Sequence, residues 1–171
     1  MTLEEAYLEH VLLHLRSEDP DDRPLRTYLD SWYARSVGPA MLERSKARPQ
    51  WLNKGDLAKR PELAWHCHAI SAEAEACIKI GEVSALAKDH SVPLNQVIVE
   101  LKKHTLLDRH ELRKFLQRRY RVAVITQLEH KRLGRGDAAR KKAKAVIFEE
   151  LGPYARYDCP DWGIEYRIIR K

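Results

Sequence analysis

Apolar residues recur along most of this chain at the three-and-four spacing of a single helical face. Leu8, Val11, Leu12 and Leu15 mark a first helix over 3–16, opened by Thr2 and Glu5 as a capping box. Leu25, Tyr28, Leu29 and Trp32 mark a second, ended by Gly38-Pro39, and a short helix is expected at 40–46. The pattern fades between 48 and 61, a loop that contains Trp51. Pro61 then suits the first position of a third helix, where Leu63, Cys67, Ile70, Ala74 and Cys77 form a core-facing seam. Val83, Leu86 and Ala87 make a stripe over 82–90, and Leu94, Val97, Ile98 and Leu101 make another over 94–104. Asp108 and Glu111 form a second capping box, before a helix running to about Tyr120 with Leu112, Phe115 and Leu116 on its apolar side.

The period changes at Val122-Ala-Val-Ile125, a short β-branched run that reads as a strand. Thr126 and Glu129 then make a third capping box for a brief helix to Leu133. Gly134-Arg-Gly136 reads as a flexible joint. Asp137 is expected to cap a last helix that Gly152 and Pro153 terminate. Tyr154, Tyr157, Cys159 and Trp162 follow in an irregular aromatic loop, and Ile164–Ile169 has strand composition. The fold class is therefore mainly α: a compact multi-helix domain with a small two-stranded β element, 122–125 with 164–169. A single domain over 1–171 is expected, made of an acidic helical lead (1–47), a helical core (61–104), a basic helical region (102–152) and the terminal aromatic loop and strand (153–171).

Composition narrows this picture rather than changing it. Of 171 residues, 44% are apolar and 33% charged, with only seven glycines, which favours helices over sheets. Three cysteines without a close-spaced pair argue against a disulfide framework and for a reducing setting. No signal-like stretch and no apolar window of about eighteen residues is present, so a cytoplasmic protein outside the membrane is expected.

Charge carries the functional signal. Residues 102–144 hold fifteen Lys or Arg and four acids, although the whole chain is only +6. Such a concentration points to a polyanion. The first thirty residues hold eight acids. They could dock beside the basic region, but a solvated acidic face is the simpler expectation. At 137–144 the order of charges is informative. Arg140, Lys141 and Lys142 would crowd the positive end of the last helix, directly after Arg135. A bound phosphate would relieve that conflict, and a solvated basic face is the alternative.

Residues 83–102 resemble the helix-turn-helix of bacterial DNA-binding proteins. Leu86-Ala87 match the positions before the turn, Val92 lies within it, Asn95 stands near the start of the second helix, and Val97 and Leu101 lie on its buried side. The resemblance implies that Asn95 and Gln96 begin a recognition helix, reading adenine edges or bonding phosphate, with Lys102 and Lys103 on the backbone. Three positions depart from the pattern. Ser91 replaces the usual turn glycine, His90 stands where an apolar residue is common, and Glu100 occupies a position normally buried and aliphatic.

His66-Cys67-His68 invites a metal reading. On a helix, however, neighbouring side chains diverge, and no second half-site with zinc-like spacing exists. Cys67 reads instead as a core residue flanked by two partly exposed histidines, with no metal. The eight histidines are scattered, and no HExxH, P-loop, GxGxxG or nucleophile-elbow pattern accompanies them. His10 and His14, four apart, could share a face of the first helix, and His110 with Glu111 or His130 with Glu129 could be drawn as acid–base pairs, yet sequence neighbours on a helix point apart. No catalytic residue and no cofactor is assigned, and a non-enzyme is expected.

The reading is a nucleic-acid-binding protein, either a regulator or a small helical subunit of a nucleoprotein complex. DNA or RNA would be gripped by its phosphates through Lys102, Lys103, Arg113, Lys114, Arg118, Arg119, Arg121, Arg135, Arg140, Lys141, Lys142 and Lys144, with any sequence preference from Asn95 and Gln96. Aromatic residues in Tyr154-Ala-Arg156-Tyr157 could stack on bases or simply seal a core edge. Other protein subunits are candidate partners. The alternative function is a protein–protein adaptor or inhibitor whose basic face docks an acidic partner.

Overall fold

The Val122–Thr126 run is buried at every position, so it needs cover on both faces and hydrogen-bonded strands on both sides. The computed structural model of the protein supplies them. It describes residues 2–17, 21–37, 54–104, 107–140, 152–158 and 163–170. The chain divides into two compact units, Met1–Trp51 with Pro93–Tyr120, and Leu52–Val92 with Arg121–Lys171.

The first unit is helical throughout its described residues. Helix α1 (Leu3–Arg16) begins with the expected Thr2–Glu5 capping box, and α2 (Arg23–Val37) packs against it. Helices α5 (Leu94–Lys103) and α6 (Arg109–Arg119) are its other described helices, α6 opening with the expected Asp108–Glu111 box. The apolar stripes read from the sequence are the buried ones: Leu8, Val11 and Leu12, then Leu25, Leu29 and Trp32, then Val97, Ile98 and Leu101, then Leu112, Phe115 and Leu116. Tyr120 lies edge-on to Trp32 at 6.0 Å, and its buried hydroxyl donates to Asp30. The short helix expected at 40–46 and the loop around Trp51 lie outside the described residues.

The second unit is built on a four-stranded mixed sheet, where a two-stranded element is expected. Its elements are α3 (Lys54–Lys59), a 3-10 turn at Pro61–His66, β1 (Ala69–Ser71), α4 (Ala72–Ile80), β2 (Leu86–His90), β3 (Val122–Thr126), α7 (Gln127–Arg140) and β4 (Tyr166–Ile168). Strand order is β2-β3-β1-β4. Strand β3 pairs antiparallel with β2 (Ala87 opposite Ile125) and parallel with β1 (Ala69 opposite Ala123). The expected pairing of 122–125 with 164–169 is not made, because β1 lies between them and β4 pairs with β1 instead.

Two helical expectations are overturned for the same reason. The seam over 61–77 breaks into a 3-10 turn, β1 and α4, and the segment 82–90 becomes a 3-10 turn followed by β2. Both strands meet the hydrogen-bonding demand of β3, which outweighs a weak local helical preference. The expected first helix of the helix-turn-helix is therefore a strand, whereas its second helix forms as α5. On one face of the sheet, Ala69, Ala123 and Ile125 pack with Leu133, Tyr154, Tyr157 and Ile164. Each large apolar side chain so buried contributes roughly 1.5–3 kcal/mol.

Candidate functional site

In the first unit several cations are engaged by acids. Lys102 lies 2.6 Å from Asp22, Arg109 2.8 Å from Glu9 and Arg113 3.0 Å from Glu4. The acidic lead thus docks on the basic helices rather than presenting a solvated face. Glu100, anomalous as a buried acid on a recognition helix, meets Arg119 at 3.0 Å. Asn95 is exposed, but Gln96 is half-buried and its Oε1 is buried without a hydrogen-bond partner. Lys103, Lys114 and Arg118 are exposed. Lys114 and Arg118 stand one turn apart on α6.

In the second unit, Arg121 is half-buried and its Nε is buried without a hydrogen-bond partner. Helix α7 begins at the expected capping box, the Thr126 amide donating to Glu129 at 2.7 Å and the Glu129 amide to Thr126 Oγ1 at 3.2 Å. It then runs unbroken to Arg140. The expected glycine joint at 134–136 and the fresh helix start at Asp137 are corrected accordingly. Amides that would have been free for an anion lie inside a continuous helix. Two glycines cost such a helix about 1 kcal/mol each, which the ladder of hydrogen bonds through them overcomes. Lys131 and Arg132 are exposed, Arg132 lying 3.7 Å from the equally exposed Glu73. Arg135 and Arg140 belong to the same helix, whereas Lys141, Lys142 and Lys144 lie outside the described residues.

A constellation with no counterpart among the sequence motifs is centred on Asp89. Strand β2 turns this carboxylate inward, where its side chain is 5% exposed. The Tyr157 hydroxyl donates to Oδ2 at 2.6 Å. Arg156 Nη1 stands 3.3 Å from Oδ2 and 3.4 Å from Oδ1, and also donates to the His90 carbonyl at 2.9 Å. His130 brings Nε2 to 3.6 Å from Oδ1 while 53% of its side chain stays exposed. Burial, reinforced by the adjacent Asp89 charge, drives the Tyr157 phenol well above its ordinary pKa. It therefore remains a donor at any working pH. Tyr154, Arg156 and Tyr157 are all buried, so this loop seals the core. No sequence signal marks the constellation, since its members come from three separate elements.

Glu129 and His130 diverge as expected of helix neighbours. Glu129 turns inward to accept a 2.7 Å hydrogen bond from Ser71, which also caps α4. His130 turns out toward Asp89.

The histidine–cysteine run is likewise clarified. Cys67 is fully buried, and burial pushes its thiol up to about 12. His68 is not partly exposed as expected but 6% exposed, accepting the Val122 amide at Nδ1. Burial, assisted by Arg121 and Arg170, holds it down to about 3. It is therefore a neutral core residue.

Among the described residues, no three His, Cys, Asp or Glu side chains gather closely enough to hold a metal ion. No helix there is long and apolar enough to cross a membrane. No protein-family model, curated protein or solved structure matches this chain.

Proposed function

We propose that the protein binds nucleic acid through the phosphate backbone, with the cationic length of α7 and the residues after it as the principal contact. One observation carries this reading. Residues 131–144 hold seven Lys or Arg against one acid, and the helix carrying the first four of them is continuous. The cations of α5 and α6 are a weaker basis. Lys102, Arg109, Arg113 and Arg119 are already paired with acids within their own unit, which leaves Lys103, Lys114 and Arg118 on those two helices. Counterion release supplies most of the affinity on this reading, so it is steeply salt-dependent and carries little sequence preference.

The test is fluorescence anisotropy of the full chain with short random-sequence RNA and duplex DNA across a salt series. Wild type should bind and weaken steeply between about 50 and 200 mM salt. A variant with Lys131→Glu and Arg132→Glu should bind at least tenfold less tightly with unchanged circular dichroism. Salt-insensitive binding, or wild-type affinity in that variant, overturns the reading. Capture of an acidic protein with no nucleic-acid binding would instead establish an adaptor.

A further inference from the structure

We infer that Asp89 and His130 form a carboxylate–imidazole pair that cleaves RNA bound along α7. The inference rests on the binding reading above and adds a reaction to it. His130 occupies the second turn of that helix, immediately before Lys131 and Arg132. Asp89 does not need the imidazole for its own satisfaction, because Tyr157 and Arg156 already hold both of its oxygens. A carboxylate–imidazole contact that is half open to solvent adds little stability. A half-exposed ring with one nitrogen 3.6 Å from a buried carboxylate is suited to proton transfer.

The substrate class follows from the chemistry available. A single base beside a cationic strip can activate a nucleophile that the substrate itself carries, and the RNA 2′-hydroxyl is such a group. His130 takes the 2′-hydroxyl proton, and the 2′-oxygen bonds to the adjacent phosphorus. The bond from phosphorus to the 5′-oxygen breaks, that oxygen takes a proton from water, and the hydroxide so left takes the proton back from His130. The products are a 2′,3′-cyclic phosphate and a 5′-hydroxyl, with no redox change and no co-reactant. DNA lacks the nucleophile and stays intact. His130 is the catalytic residue on this assignment, and Asp89 is a positioning residue.

The experiment incubates the full chain with end-labelled RNA and DNA of one sequence in EDTA, with binding followed separately by anisotropy. RNA should be cut to cyclic-phosphate ends and DNA left whole. His130→Gln should lose about a hundredfold or more of the rate at unchanged RNA affinity, while His110→Gln, at an exposed position of α6, keeps it. His130→Ala should be partly rescued by added imidazole, which a structural role would not permit. Asp89→Asn should lower kcat while leaving KM for RNA unchanged, the signature of a lost positioning contact. RNA bound but not cut, 5′-phosphate ends, or full cleavage by His130→Gln overturns the assignment. Absence of RNA binding overturns the binding reading instead.

Discussion

Arg113 Nε lies 3.0 Å from Glu4 Oε1, although 109 positions separate the two residues. Glu4 also accepts a hydrogen bond from the Trp32 indole at 3.3 Å. One carboxylate therefore joins α1, α2 and α6, and part of the basic charge in this chain serves the fold. Both side chains are about one-third exposed, so solvent screening limits their coupling. Arg113→Glu should cost about 1 kcal/mol, whereas Arg118→Glu on the exposed side of α6 should stay within about 0.5 kcal/mol. Urea denaturation of the two variants provides the comparison, and equal losses would contradict the pairing.

Tyr157→Phe removes the donor that meets Asp89 at 2.6 Å. The carboxylate stays buried with one hydrogen bond fewer, which should cost about 1–3 kcal/mol. Thermal unfolding should register the loss at neutral pH. If Asp89 were open to water, the effect would be close to zero.

His68 sets an acid limit on stability. Its folded pKa, about 3, lies below the unfolded value of about 6.5. The unfolded chain therefore binds the extra proton first. The stability this residue contributes is complete above about pH 6.5, declines as pH falls, and is gone once pH passes below about 3. The slope between is about 1.4 kcal/mol per pH unit. Denaturant titrations from pH 7 to 4 should show it, and His68→Asn should flatten the profile by about one proton.

Gly134 lies inside α7, and an added Cβ there meets nothing within 4 Å. Gly134→Ala should stabilise the protein by about 0.5–1 kcal/mol. Gly81 gives the opposite case. It ends α4 with φ of +80°, so Gly81→Ala should cost about 1 kcal/mol despite equally open space. Destabilisation by Gly134→Ala would mean that the helix breaks at the glycines after all.

The helix boundaries of the first unit were legible because their causes are local. The Thr2–Glu5 and Asp108–Glu111 boxes satisfy amides within one turn, and the buried stripes of α1, α2, α5 and α6 follow a period written in sequence. The same holds for Thr126–Glu129. Strand β3 was legible from its β-branched run. Its neighbours were not, because Ala69–Ser71 and Leu86–His90 owe their extended form to β3 rather than to their own composition.

Charge content belongs to the sequence, but its disposition does not. Residues 102–144 are basic in any conformation, yet only folding decides that Lys102, Arg109 and Arg113 face acids of α1 and of the chain just before α2. Likewise, a constellation drawing Asp89, His130 and Tyr157 from a strand, a helix and a loop has no spacing rule to reveal it. Short-range hydrogen bonding and periodicity are encoded residue by residue. Ion pairs and strand partners are selected by the burial of distant segments, and the chain carries no local trace of that selection.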